Sequence, residues 1–189
     1  MRDLKTWEEK VRPAAVQKFT KRIQEDLNRI SLKDLPPLRS YYIQGPVGSG
    51  KTILAAFLTL EYVKKRYLEM ETGFVYFLTV PEFLNEIKSS YEDPDRNEQD
   101  VLEKYSNAAW LVLDDFGAER STDWAMSMLY LLINRRYEEV RTTIITSNLT
   151  LQELAEKLGD ERIPARVERM CDIIEQKRFD EKNKTRKEK

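Results

Sequence analysis

The segment GPVGSGKT, Gly45 to Thr52, sets three glycines, a lysine and a hydroxyl at fixed spacing. That combination suits phosphate. The backbone through Gly45, Pro46, Val47, Gly48, Ser49 and Gly50 can curl so that its N–H groups face inward, and a Cβ at the glycines would crowd the loop. Lys51 then supplies a positive charge to the β- and γ-phosphates, and the Thr52 hydroxyl is suited to ligate Mg²⁺. An apolar run, YYIQ at 41–44, precedes the loop and a helical pattern follows it. A helix starting at Lys51 aims its positive end at the same phosphates.

A second constellation lies in WLVLDDFG. Four apolar residues predict a buried strand, with Asp114 at its C-terminal end, where ligands sit in open α/β sheets. A carboxylate there can hold Mg²⁺ or its water against Thr52, and Asp115 is placed to orient or deprotonate an attacking water. Taken alone, the two acids equally suit a helix cap and a solvated neighbour. In TIITSN, Asn148 ends another apolar strand. Its amide can hydrogen-bond both a lytic water and a terminal phosphate. Locally, Asn148 or Thr150 also suits the cap of the helix that follows.

The elements that must position these residues alternate. Strands are predicted at 41–44, 74–80, 110–113, 142–146 and 171–174, with helical patterns at about 51–69, 81–91, 98–107, 122–138 and 151–157. Such alternation predicts a parallel sheet covered by helices on both faces. Ahead of it, residues 1–38 carry an apolar stripe (Val16, Phe19, Ile23, Leu27, Ile30) on a helix that Pro36-Pro37 ends. That helix either packs on the domain behind it or is part of a partner-binding arm. Residues 39–176 form the predicted core. The segment 177–189 holds seven basic and three acidic residues, a solvated tail or a phosphate-backbone contact.

Composition narrows the chemistry. The chain has 189 residues, 41% apolar and 34% charged, with a net charge of −1, one cysteine and no histidine. Those values describe one soluble domain without the basic excess of a protein that coats nucleic acid. Cys/His zinc sites and histidine-dependent triads are excluded. No run approaches the ~20 apolar residues that span a bilayer, and the N-terminus lacks a signal-peptide core, so a cytoplasmic location without membrane contact is expected.

The run from WLVLDDFGAE through INRRYE and TSNL to LGDERIPARVERMCDII, together with GPVGSGKT, resembles the AAA+ ATPases of bacterial helicase loaders (DnaC/DnaI type) and of IstB-type transposition helpers. The resemblance covers about residues 40–175. It implies a P-loop NTPase of three layers, α/β, with a five-stranded parallel sheet in the order 5-1-4-3-2, and with ATP or ADP and Mg²⁺ as cofactors; only the short tail follows CDII, so, unlike many AAA+ proteins, no separate lid domain is expected. It assigns Lys51 and Thr52 to phosphate and magnesium, Asp114 and Asp115 to the acidic motif, and Asn148 to the first sensor. Arg166 falls at the position of an arginine finger that reaches the nucleotide of a neighbouring subunit, so self-assembly is implied. A surface arginine paired with Glu161 or Glu168 is the competing account. Arg162 is a reserve candidate, and Arg135 or Arg136 could line the same interface. Arg178 and Lys182 are weak candidates for a second sensor.

The resemblance also points to PEFLNEIKSSYEDPDRNEQDVLEKY, where Lys88, Ser89, Ser90 and Tyr91 offer charge, hydroxyls and a stacking face for single-stranded DNA. A solvated helix pair accounts for the same residues. The expected function is an ATP-hydrolysing loader of a replicative helicase. The alternatives are an ATPase helper of a DNA transposase, an ATP-binding switch with little turnover, and a small-molecule P-loop kinase.

Overall fold

The computed structural model describes residues 39–68, 73–118 and 122–177. The stripe at 16–30, Arg178, Lys182 and nearly all of the charged tail lie outside them. Five strands, β1 (Ser40–Gln44), β2 (Val75–Thr79), β3 (Trp110–Phe116), β4 (Thr142–Ser147) and β5 (Cys171–Glu175), form one parallel sheet in the order β2-β3-β4-β1-β5. That is the expected order, read from the other edge. The inner strands β3, β4 and β1 are buried almost throughout, and the edge strands β2 and β5 are half exposed. Continuous burial explains why the inner strands lack charged residues up to Leu113 of β3, and the buried hydroxyls of β4 are accommodated between covered faces.

Six helices connect and cover the strands among the described residues: α1 (Lys51–Leu68), α2 (Val80–Ser90), α3 (Glu98–Ser106), α4 (Asp123–Glu138), α5 (Leu151–Leu158) and α6 (Arg162–Met170). The chain runs from β1 across two positions to β2, then returns through β3 and β4 and passes β1 to reach β5. Right-handed crossovers in opposite directions put helices on opposite faces. Accordingly α2 packs on α3, α3 on α4, α4 on α6 and α5 on α6, whereas α1 packs against β1, β3 and β4. Tyr42, Leu111, Leu113 and Ile145 belong to the larger core cluster with Phe83, Ile87, Leu102, Leu129, Leu132 and Val167. On the α1 side, Tyr62 stacks on Trp110 with ring centroids 4.3 Å apart.

Local chemistry sets the helix boundaries. Thr79, Asn97 and Thr150 each cap a helix, with Glu82, Asp100 and Glu153 completing reciprocal capping boxes. The box at Thr79 ends β2 one residue earlier than expected and starts α2 at Val80. Helix α6 was not anticipated from the sequence. Pro164 sits in its first turn, where a missing N–H costs nothing, and Asp160 accepts the Arg162 N–H at 2.8 Å in place of a side-chain cap from Glu161.

Arg136 requires a correction. It is fully buried, so it cannot line an interface. Its Nε donates to Thr143 Oγ1 (2.8 Å). One terminal nitrogen donates to the carbonyls of Tyr105, Ser106 and Ala108 (2.7–3.0 Å), and the other to that of Thr142 (2.5 Å). Burial pushes its pKa down to about 9, which still leaves it charged at neutral pH. It ties the end of α3 to the start of β4.

Candidate functional site

The connections from β1 and β4 leave in opposite directions along the sheet, and this places the C-terminal ends of the two strands side by side, the crevice where open α/β sheets bind ligands. The 45–50 loop leaves β1 there, and Asn148 follows β4. The Lys51 ammonium donates to Gly45 O (2.8 Å), Pro46 O (3.1 Å) and Asn148 Oδ1 (2.6 Å). Three acceptors match its three hydrogens, so a phosphate oxygen reaching this ammonium replaces one of them. Burial pulls the Lys51 pKa below the ordinary lysine value, and the negative charges of Asp115 and Asp114 act against that. Both carboxylates therefore lie within electrostatic reach of the lysine.

The structure brings Thr52, Asp114 and Thr146 into one chain of hydrogen bonds. Thr52 Oγ1 donates to the Asp114 carboxylate (3.0 and 3.1 Å), and Thr146 Oγ1 donates to Asp114 Oδ1 (2.5 Å). Thr146 Oγ1 in turn accepts the Asp115 N–H at 3.0 Å. Sequence reasoning missed Thr146. Its only signal was a second hydroxyl residue two places before Asn148, and β-branched residues are ordinary in strands. Ser147 has a supporting role, donating to Phe116 O (2.6 Å) and accepting the Leu149 N–H (3.1 Å).

Asp114 is buried and Asp115 exposed. Pairing of β3 with β4 slips between Leu113 and Phe116, and Asp115 has φ +56°, a left-handed conformation unusual for a residue with a side chain. Such bulges redirect side chains next to active sites. Strand β3 thus continues two residues past Asp114, which does not stand at its end as expected.

The glycines divide their work differently from the sequence expectation. Gly48 (φ +78°) has open space around its Cβ position, so conformation alone selects it. At Gly45 a Cβ would lie 2.1 Å from the Gln176 carbonyl oxygen, backbone leaving β5. Crowding at Gly45, which itself has φ +150°, therefore comes from the neighbouring edge strand. The Ser49 hydroxyl is buried in this loop without a hydrogen-bond partner among the described residues. A left-handed turn, an orphaned hydroxyl, a lysine and a threonine–aspartate pair together fit a nucleotide phosphate with a hard divalent cation.

Asn148 does not cap the next helix; Thr150 does. Arg166 lies on α6 and packs on α4. Its Nε donates to Asn134 Oδ1 (2.5 Å), NH1 to the Arg162 carbonyl (3.2 Å) and NH2 to the Tyr130 hydroxyl (2.9 Å). Neither Glu161 nor Glu168 is among these partners, and none belongs to the 45–52 loop. On α2, Lys88 Nζ stands 5.1 Å from the Trp124 ring centroid, and Ser89 Oγ donates to Asn85 O (3.0 Å). Tyr91 is 57% exposed. Its hydroxyl donates to Glu98 and accepts from Trp124 Nε1. Trp124 is a second aromatic that the sequence reading of this patch did not include.

The sequence profile of the IstB-like ATP binding protein family matches residues 17–188. The chain belongs to that family. This IstB-like chain is 32% identical over 117 residues to the replicative helicase loader DnaI of Bacillus subtilis, covering 61% of this chain and 35% of that protein. It is 27% identical over 140 residues to the putative ATP-binding protein of insertion sequence IS232 from Bacillus thuringiensis, covering 74% and 52%. The chain thus spans about a third to a half of the length of these curated relatives. A crystal structure of the DnaC helicase loader superposes with a TM-score of 0.66 at 25% identity, over 78% of this chain and 85% of that one. The IstB-like chain is an AAA+ ATP-binding protein resembling the DnaC and DnaI loaders. No helix among its described residues is long and apolar enough to cross a membrane.

Proposed function

We propose that this AAA+ protein hydrolyses ATP to ADP and phosphate and, in its ATP-bound form, assembles with copies of itself to load a replicative helicase onto single-stranded DNA in the cytoplasm. One observation carries the catalytic part: Lys51, Thr52, Asp114 and Asn148 converge from the C-terminal sides of β1, β3 and β4 into one hydrogen-bonded crevice. In this reading Gly45 to Thr52 hold the phosphates, and Thr52 with Asp114 holds Mg²⁺. When bound, Mg²⁺ neutralises phosphate charge and orients the terminal group. Thr146 fixes the Asp114 carboxylate. Asp115, exposed beside Lys51, accepts the proton of the attacking water. Asn148 exchanges its bond to Lys51 for one to the water and the terminal phosphate, which reports whether that phosphate is present. Arg166 supplies a permanent planar charge to the nucleotide of a neighbouring copy, a contribution of roughly 10³–10⁵ in rate for such fingers.

The helicase-loading part is supported by the identity to DnaI and the fold shared with the DnaC loader. Lys88, Ser89 and Tyr91 are the proposed single-strand contacts, beside Trp124. The IS232 relative favours a second reading, an ATPase helper of a transposase. Phosphate release from ATP, measured with single-stranded and then double-stranded DNA, separates the readings. Stimulation by single strands, abolished in Lys51→Ala, is the expected result. ATP-dependent filaments on duplex DNA would favour the transposase helper. ATP binding without phosphate release under either condition would reduce the protein to a switch.

A further inference from the structure

Arg162 and Arg166 sit one turn apart on α6, and Tyr130 and Asn134 sit one turn apart on α4. Both guanidiniums lie over the Tyr130 ring, 4.9 and 4.8 Å from its centroid. Their charges are treated differently. Arg162 donates through Nε and NH2 to the Asp160 carboxylate at 2.6–3.1 Å, a pairing that holds the Asp160 pKa down and cancels the arginine's charge locally. The hydrogen-bond partners of Arg166 are all neutral: an amide oxygen, a phenol and a backbone carbonyl. They fix the plane of the guanidinium without a bonded carboxylate, although the Asp160 charge acts on it through space. Three of its five N–H groups are engaged in this way, which leaves one on each terminal nitrogen for an external oxyanion. Asn134 is itself oriented, because its Nδ2 donates to Glu138 Oε1 at 2.9 Å.

We propose that Asn134 and Tyr130 are positioning residues that hold Arg166 charged, oriented and without a bonded carboxylate for the nucleotide of a neighbouring copy. This rests on the finger role proposed above. The same contrast selects Arg166 over Arg162: a guanidinium already bound to a carboxylate must break that pair before it can meet a phosphate. Misorientation of a catalytic charge by an ångström costs roughly 100-fold in rate, so loss of the Asn134 oxygen lowers turnover without changing how the same chain binds ATP.

The experiment mixes two full-length chains that are each inactive. Arg166→Ala supplies an intact nucleotide site without a finger, and Lys51→Ala supplies a finger without a site. Their mixture is expected to recover turnover. Adding Asn134→Ala to the Lys51→Ala chain should cut that recovery by about tenfold or more, and moving it to the Arg166→Ala chain should leave the recovery in place. A merely structural defect would lower both mixtures alike, and that outcome overturns the proposal. Tyr130→Phe on the Lys51→Ala chain keeps the ring and removes the acceptor hydroxyl. It should give a smaller loss, and it serves in place of Asn134→Ala should that variant fail to fold. Full recovery with both variants on the finger-supplying chain overturns the positioning role and leaves the finger role standing. If Arg166→Ala alone retains wild-type turnover, or if its mixture with Lys51→Ala recovers nothing, the finger role falls and the positioning role falls with it.

Discussion

Arg136→Met isolates the buried strut between α3 and β4. The substitution keeps an apolar stem of similar length and removes five hydrogen bonds at once. They do not add in full. Each carbonyl keeps some capacity for other partners, and removing a buried charge recovers its desolvation cost. Breaking a buried charged network costs roughly 3–5 kcal/mol. Neutral backbone acceptors are less costly to strand than charges, so the lower end, about 3 kcal/mol, is expected here. At 2–4 °C per kcal/mol for a chain of this size, the melting temperature falls by about 6–12 °C. Unfolding by heat or urea, followed by tryptophan fluorescence, reads this directly, because Trp110 is buried against Tyr62. Arg136→Lys keeps the charge but has too few donors for the same set of oxygens, and it should fall between the two. A Met variant as stable as the parent, or more stable, would refute the reasoning. The charge would then be a net burden that the four carbonyls do not need.

Three further outcomes follow from the geometry. Thr146→Val removes the hydroxyl that braces Asp114 and accepts the Asp115 N–H, and is expected to weaken Mg²⁺-dependent nucleotide affinity about tenfold; titration with a fluorescent ATP analogue, with and without Mg²⁺, checks it. Gly45→Ala forces a methyl group onto the Gln176 carbonyl, about 1–3 kcal/mol, and adds the strain of a φ of +150°. Gly48→Ala meets open space and bears only the left-handed penalty of about 1–2 kcal/mol; urea unfolding that finds Gly48→Ala clearly the worse of the two would contradict the assignment. Burial works to raise the Glu86 pKa, but hydrogen bonds from Lys104, Tyr105 and Arg96 outweigh it and hold the carboxyl below its usual value. Its stabilisation is therefore present above the unfolded pKa, about 4.3, and is lost as pH falls through the lower folded value. Glu86→Gln should lose stability at pH 7 and show a flatter acid limb of urea midpoints between about pH 5 and 3.

Much of the architecture was legible because the inner strands are buried on both faces and interrupted by long helical periods. Strand order came from the family resemblance; no local pattern in the chain encodes it. Helix α6 was hidden by Pro164 and by the four charged residues between Arg162 and Arg169, although Ile163, Val167 and Met170 carry a helical period. Arg136 was misplaced because nothing near it announces three carbonyls from the end of α3. The bulge at Asp115 is a property of pairing between β3 and β4, which a single strand does not display. The phosphate loop was read as a cradle from its glycines, but only the structure separates a glycine bound by conformation alone from one that needs clearance as well.

Gly45 shows that a motif need not be a local contract. The residue opens the loop with a φ of +150°, yet a side chain there would also strike the polypeptide emerging from β5, the last strand to be made. The eight-residue segment is therefore not fully portable. Transplanted into a sheet without that outer neighbour, its first position would shed the clash and keep only the demand of its φ of +150°, as Gly48 and Gly50 keep theirs.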